Sequence, residues 1–289
     1  MQINQYAILE LFPDDIESNK YIKNKQQRKP MIKKLLLAST LSGLLLAGLV
    51  NAESETKTAT TSDDSSAIIA LKQQLTKTFR RAPDTITKSP IDGVFQVLYG
   101  TEVVYVSADG KYFIAGDLIN TETRENLSAI AQRSVRKDII KEKAKSPIVF
   151  KAKDEKHVLK VFTDIDCPYC AKLHREVPKL NEKGITVEYL MFPRAGIKSK
   201  SYDKAVSVWC AGDSKAQQKA MTTAKERKPI EEKKCENPVE AQYKLGQEIG
   251  VTGTPALVTS SGRLIPGYIP ADRLAKMLEN DAATTSSKN

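Results

Sequence analysis

Two rhythms of apolar residues run along the chain. Ile68, Leu71, Leu75 and Phe79 recur at helical spacing. Leu127, Ile130, Ala131, Val135 and Ile139 do the same within a helix expected over Thr123–Lys145, capped by Thr123 or Asn120 and ended by Ser146-Pro147. Between them lie three strand-like runs, Val94–Leu98, Glu102–Ser107 and Lys111–Ala115, the last two joined at an Asp109-Gly110 turn. Pro83–Pro90 reads as loop. From Ile148 onward the rhythm changes. Val158–Phe162 is a β-prone run, a helix follows at once and stops near Asn181 to Gly184, and Thr186–Phe192 is a strand closed by Pro193. That β-α-β order implies parallel pairing. Helices are expected over Lys200–Ala224, broken at Gly212, and over Pro238–Ile249. Strands Ala256–Thr259 and Arg263–Pro266 flank a Ser261-Gly262 turn, and a last helix covers Ala271–Leu278.

The pattern divides the chain. Residues 66–122 form a small α+β unit, barely large enough to hold a core alone, so self-association is expected of it. Residues 123–146 form a charged amphipathic helix, read either as a rigid spacer or as a helix packed on one domain's core. Residues 147–280 form an α/β domain, and 281–289 a flexible tail. Upstream, Lys33 and Lys34 precede an apolar stretch that ends in Val50-Asn51-Ala52, which reads as a signal peptide over 31–52. Its apolar run is short for a membrane span. Residues 1–30 read as an extension from a mis-called start, and 53–65 as a flexible Ser/Thr/Asp-rich tract.

Composition changes this little. Of 289 residues, 40% are hydrophobic and 28% charged, with a net charge of +10. The charges are interspersed and lack aromatic interleaving, so a solvated cationic surface is expected and nucleic-acid binding is not. Export gives the cysteines their meaning. All four (Cys167, Cys170, Cys210, Cys235) follow the signal segment, in a compartment where disulfides persist. Three pairings are open; one CxxC suggests a redox pair, with Cys210–Cys235 as a structural bridge. The two latter cysteines lack the paired spacing of a zinc site.

The candidate chemistry lies in Cys167-Pro168-Tyr169-Cys170. Strand, CxxC and helix follow one another, so Cys167 is expected at a helix N-terminus, where free N–H groups and the helix dipole favour a thiolate. Pro168 fits the first turn, where a missing N–H loses nothing. Cys170, one turn on, can close a disulfide with Cys167 and is expected to be the more buried. Two inert buried thiols, or half of a zinc site, is the alternative. His157 and His174 are the only histidines; His174 is expected to be exposed or capping and not a titrating neighbour of Cys167. Thr254-Pro255, at a strand start, is a candidate cis peptide.

The CPYC motif after a strand, Gly253-Thr254-Pro255 before a late strand and the β-α-β order resemble the thioredoxin superfamily. Signal peptide, small α+β unit, linker helix and CxxC domain in that order resemble periplasmic disulfide isomerases of the DsbC type, with DsbG as sibling. Segments 155–174, 184–194 and 250–268, together with Cys210 and Cys235, carry the likeness. It implies a thioredoxin-like domain with a helical insertion, joined by a linker helix to a cystatin-like dimerisation domain. It implies that Cys167 and Cys170 are catalytic, that Pro168, Tyr169, Thr254 and Pro255 meet substrate, and that Cys210–Cys235 is structural. It implies misoxidised secreted proteins as substrates, chaperone activity, a homodimer, and a membrane reductase of the DsbD type as partner. No metal or organic cofactor is indicated. Pro168-Tyr169 is more DsbG-like, and Asp166 is expected to oppose the Cys167 thiolate. A DsbG-like reductant of lone oxidised cysteines and a dithiol oxidase are the rival readings.

Overall fold

The computed structural model describes residues 61–286, and the side chains of 65–282. The proposed extension, the signal peptide and residues 53–60 lie outside the described residues. Two compact bodies are present. One comprises described residues up to Pro83 with the hairpin tip Ser107–Tyr112; the other holds 84–106 and 113 onward.

In the first body, helix α1 (Thr61–Phe79) starts within the stretch expected to be flexible. Its Leu71 and Leu75 are buried, as their spacing predicts. Gln74 Nε2 donates to Asp109 O at 3.2 Å. Gly110 takes a positive φ of 68°, and a Cβ there would fall 2.4 Å from the Gln74 side chain, so this turn needs glycine.

The second body opens with a four-stranded sheet in the order β1-β2-β3-β4: Thr85–Lys88, Val94–Tyr99, Glu102–Ser107 and Phe113–Ile114. β1 was expected to be loop. It pairs antiparallel with β2, Ile86 opposite Val97, but only Ile86 faces inward, so the apolar alternation is missing. β4 is shorter than expected because Tyr112 belongs to the turn, its carbonyl accepting from Ser107 N at 3.0 Å.

Helix α2 (Leu127–Lys143) begins later than expected. Neither Thr123 nor Asn120 caps it. Asn120 Oδ1 accepts from the amides of Glu122 and Thr123 in a separate turn, and Asn126 Oδ1 caps the helix through Ala129 N at 2.8 Å. α2 is packed and not a free spacer. Ala131 and Val135 lie against Leu98, Val103 and Tyr105 of the small sheet. One turn on, Ile140 enters a core with Phe162, Leu190, Phe192, Leu245 and Ile249. Between them Arg136 is buried, its Nε donating to Ile249 O and its Nη1 to Gly262 O, both at 3.0 Å. Gly262 is where helix and turn meet most closely: a Cβ would lie 2.1 Å from Arg133 O.

The larger sheet has five strands in the order β5-β7-β6-β8-β9: Ile148–Phe150, Ile185–Met191, His157–Thr163, Ala256–Val258 and Leu264–Pro266. β6 and β7 run parallel, Val161 opposite Tyr189; the other pairings are antiparallel. β5 is an edge strand too short to signal itself. Period-two alternation sends Leu159, Val161, Val187 and Met191 to one face and Phe162 and Leu190 to the other. The helix after the CxxC breaks at Glu176 into α3 (Pro168–Arg175) and α4 (Val177–Glu182); Pro178 removes an interior donor. Two helices, α5 (Lys200–Trp209) and α6 (Ser214–Lys225), are inserted before α7 (Val239–Glu248). α8 (Ala271–Ser286) runs into the expected tail, held by Asp281, which accepts from Thr259 Oγ1 at 2.7 Å and Ser261 Oγ at 2.6 Å. Among the described residues no helix is long and apolar enough to cross a membrane.

Candidate active site

β6 ends at Thr163, and the chain turns through Asp164-Ile165-Asp166 into Cys167, the N-cap of α3. The turn is fixed by Asp164, which is buried. Its carboxylate accepts from Ser201 Oγ (2.6 Å), Arg194 N (2.9 Å) and Asp166 N (2.8 Å). Burial pushes the Asp164 pKa up, but these donors outweigh it and the net shift is down. Asp164 O also accepts from Cys167 N at 3.2 Å. The reactive turn is thus held by a carboxylate that the sequence did not single out.

Cys167 and Cys170 are both free thiols, each 1% exposed. Cys170 was expected to be the more buried of the two, and burial acts more strongly on it, but Cys167 Sγ is also covered, by the Thr254-Pro255 loop. Cys167 Sγ lies 3.3 Å from Thr254 O, and Thr254-Pro255 is cis. Electrostatics separates the two thiols instead. The Cys170 thiol donates to Cys167, burial opposes, and the Thr254 hydroxyl and the amides of Cys170 and Tyr169 add hydrogen bonds; the Cys167 pKa falls to about 5. The Thr254 hydroxyl is buried with no other hydrogen-bond partner, so a sulfur anion is its natural acceptor. Cys170 is pushed upward by burial and by the bond it gives to Cys167. One thiol is made the anion and the other keeps its proton.

Pro168 and Tyr169 are exposed on the first turn of α3, Tyr169 at 61%. Asp166 does not press on Cys167 as expected: it is exposed and ion-paired with Lys204 at 2.7 Å. Arg194 is a residue of this site that its sequence context did not mark. Its guanidinium bonds Asp164 at 3.3 Å, and the nearby sulfur charges raise its pKa against the effect of burial. His174 is neither exposed nor capping. It is buried between Tyr189 Oη (3.1 Å) and Thr222 Oγ1 (3.0 Å), with Phe150 edge-on. Burial first, then the Lys225 charge, lower its pKa to about 4. Lys225, at the end of α6, is 3% exposed and bonds Thr163 and Asp164 beneath the cysteines. Nothing in its sequence neighbourhood, Ala224-Lys225-Glu226, distinguished it from a surface lysine.

Cys210 and Cys235 are joined in a disulfide, Cα–Cα 5.8 Å, between the end of α5 and the loop before α7. Among the described residues no group of His, Cys, Asp or Glu could hold a metal ion.

Known proteins match along this whole arrangement. A thioredoxin-like domain model matches residues 144–282, and a model of the disulfide bond isomerase N-terminal domain matches 55–129. A thiol:disulfide interchange protein DsbC of Salmonella typhimurium is 35% identical over 257 residues, covering 89% of this chain and 100% of the relative. The DsbC of Haemophilus influenzae is 37% identical over 213 residues, covering 74% and 90%. A solved disulfide interchange protein from Neisseria gonorrhoeae is 33% identical, covers 46% of this chain and 94% of its own, and gives a TM-score of 0.42.

Proposed function

Because the chain belongs to the DsbC family of thiol:disulfide interchange proteins, we propose that it rearranges or reduces incorrect disulfides in secreted proteins, with Cys167 as nucleophile and Cys170 as resolving thiol. The observation that carries this is the divergence of the two thiols: Cys167 held at about 5, Cys170 pushed up beside it.

The Cys167 thiolate attacks one sulfur of a mispaired disulfide. The substrate S–S bond breaks, the other substrate sulfur leaves as a thiolate, and a Cys167–substrate mixed disulfide forms. If a substrate thiolate displaces Cys167, the substrate is rearranged and the enzyme returns reduced. If Cys170 attacks Cys167 instead, the substrate leaves with two electrons and the enzyme is left with a Cys167–Cys170 disulfide. The exposure of Pro168 and Tyr169, and the closeness of the Thr254-Pro255 loop to Cys167 Sγ, support these residues as the ones that meet the substrate segment. Cys210–Cys235 serves as the structural bridge.

The same reading puts the protein in the periplasm after removal of residues 31–52, as a homodimer with chaperone activity, re-reduced by a membrane reductase of the DsbD type. Exposed Ile114 on the edge strand β4, with exposed Ile119 beside it in sequence, supports association through the small sheet. The DsbC names of the relatives favour isomerase over the DsbG-like role. Refolding of a scrambled, disulfide-rich substrate tests it. We expect the protein to restore native pairings, and to be recovered with Cys167 and Cys170 reduced when thiols are trapped in intact cells. Recovery of the pair oxidised, together with net oxidation of reduced substrates, would establish the oxidase reading instead.

A further inference from the structure

The mechanism above leaves one proton without a destination. Cys170 must be a thiolate to attack the mixed disulfide, yet its thiol is buried and its charged form is disfavoured by that burial. The Thr163 hydroxyl is within hydrogen-bonding reach of Cys170. On the other side of that hydroxyl lies Lys225, whose Nζ donates to Thr163 Oγ1 at 2.8 Å and to Asp164 O at 2.6 Å. Lys225 is buried with no carboxylate oxygen bonded to it among its hydrogen-bond partners.

Resting on the function proposed above, we propose that Lys225 is the proton acceptor for the Cys170 thiol, acting through the Thr163 hydroxyl, and that it switches on when the mixed disulfide forms.

The groups facing Lys225 explain the switch. Burial lowers its pKa to about 8, and the negative charge of the cysteine pair, carried by Cys167 in the reduced enzyme, together with the Asp164 and Asp166 carboxylates, works to keep its proton on. His174, buried and neutral, adds no counter-charge. In the reduced enzyme the Cys167 thiolate helps hold Lys225 as a cation. In the mixed disulfide Cys167 carries no charge, that attraction is gone, and the ammonium loses its proton to solvent. Thr163 then takes the proton of Cys170 and passes its own hydroxyl proton to the Lys225 amine. The Cys170 thiolate attacks Cys167 Sγ. The bond between Cys167 and the substrate breaks, the Cys167–Cys170 bond forms, and the substrate sulfur leaves with the electron pair as a thiolate. The proton stays on Lys225, so charge and atoms balance. Cys170 is thereby a poor nucleophile until Cys167 is engaged, which leaves time for a substrate thiol to rearrange the bond first.

Ellman's reagent tests this on the full chain. The first thionitrobenzoate released reports attack by Cys167, and the second reports its displacement by Cys170. In the parent, the second phase should rise with pH and level off above about pH 8, as Lys225 passes its pKa and becomes neutral. In Lys225→Met the second phase should be about 100-fold slower at pH 7, the usual contribution of a positioned base, and should climb with hydroxide without levelling. Lys225→Arg should not rescue it, because guanidinium cannot give up its proton; rescue by arginine would show that charge alone matters and would overturn the relay. Thr163→Val should slow the second phase with the first phase kept, and decides the matter if Lys225→Met does not fold. An unchanged second phase in Thr163→Val, or a parent rate that climbs tenfold per pH unit beyond pH 9, overturns the proposal as well. A parent whose first phase is no faster than a free thiol would instead sink the assignment of Cys167.

Discussion

Cys167 caps the N-terminus of α3, whereas Cys210 closes the C-terminus of α5. The two residues are the same chemically and lie in one domain. At the first, free amides and the positive end of the helix dipole face the sulfur and favour the anion; at the second, carbonyl oxygens and the negative end disfavour it. Cys167 is left as a thiol whose partner, three residues on, donates to it. Cys210 is bonded to Cys235, twenty-five positions away. Which end of a helix a cysteine occupies, and how far its partner lies along the chain, separate a reactive site from a brace.

That contrast can be broken at four strengths. Cys167→Ser should have the largest effect, reducing insulin cleavage by dithiothreitol to the uncatalysed rate, and Cys210→Ala with Cys235→Ala should leave it near that of the parent. Equal loss in both variants would erase the distinction. The second effect is on stability. Removing the Cys210–Cys235 bridge should lower the unfolding free energy by about 3 kcal/mol from the loop it closes, read from urea unfolding at neutral pH. The third is a pH effect. His174 is held at about 4 in the fold against an ordinary 6.5, so the unfolded chain takes up its proton first as pH falls. Stability is therefore full above 6.5 and declines toward 4, by about 2–3 kcal/mol at pH 4.5 by linkage. His174→Gln should flatten that decline while leaving Cys210–Cys235 intact; parallel declines in parent and variant would discard the argument. The smallest is Asp166→Thr. Since Asp166 is paired with Lys204 in solvent, the Cys167 titration should move by only a few tenths of a unit, measured by thiolate absorbance.

The legible parts of this molecule were those in which one short stretch carries its own reason. Strand, proline and paired cysteines between Val158 and Cys170 define a site because each residue acts on its neighbours. Gly253-Thr254-Pro255 was visible for the same reason, and the candidate cis bond at Thr254-Pro255 is present. What escaped were residues whose meaning comes from across the fold. Asp164 is one of two acids in Asp164-Ile165-Asp166, and only the arrival of Ser201 and Arg194 shows which is buried. Adjacency to Cys167 drew weight to the exposed one, Asp166. Lys225 and His174 read as surface residues because their burial depends on α6 folding over the end of β6 and on Tyr189 and Phe150 beneath. β1 escaped because a strand with one inward side chain has no period to detect.

The docking of α2 has a consequence for how the protein can change over generations. Arg136 reaches two main-chain carbonyls, Ile249 O and Gly262 O, and no side chain of the surface it is set against. A main-chain acceptor is offered by almost any residue, so an apolar substitution at position 249 that keeps the packing against Ile140 leaves this hydrogen bond in place, whereas Gly262 is barred from drifting because helix backbone fills the space of a Cβ.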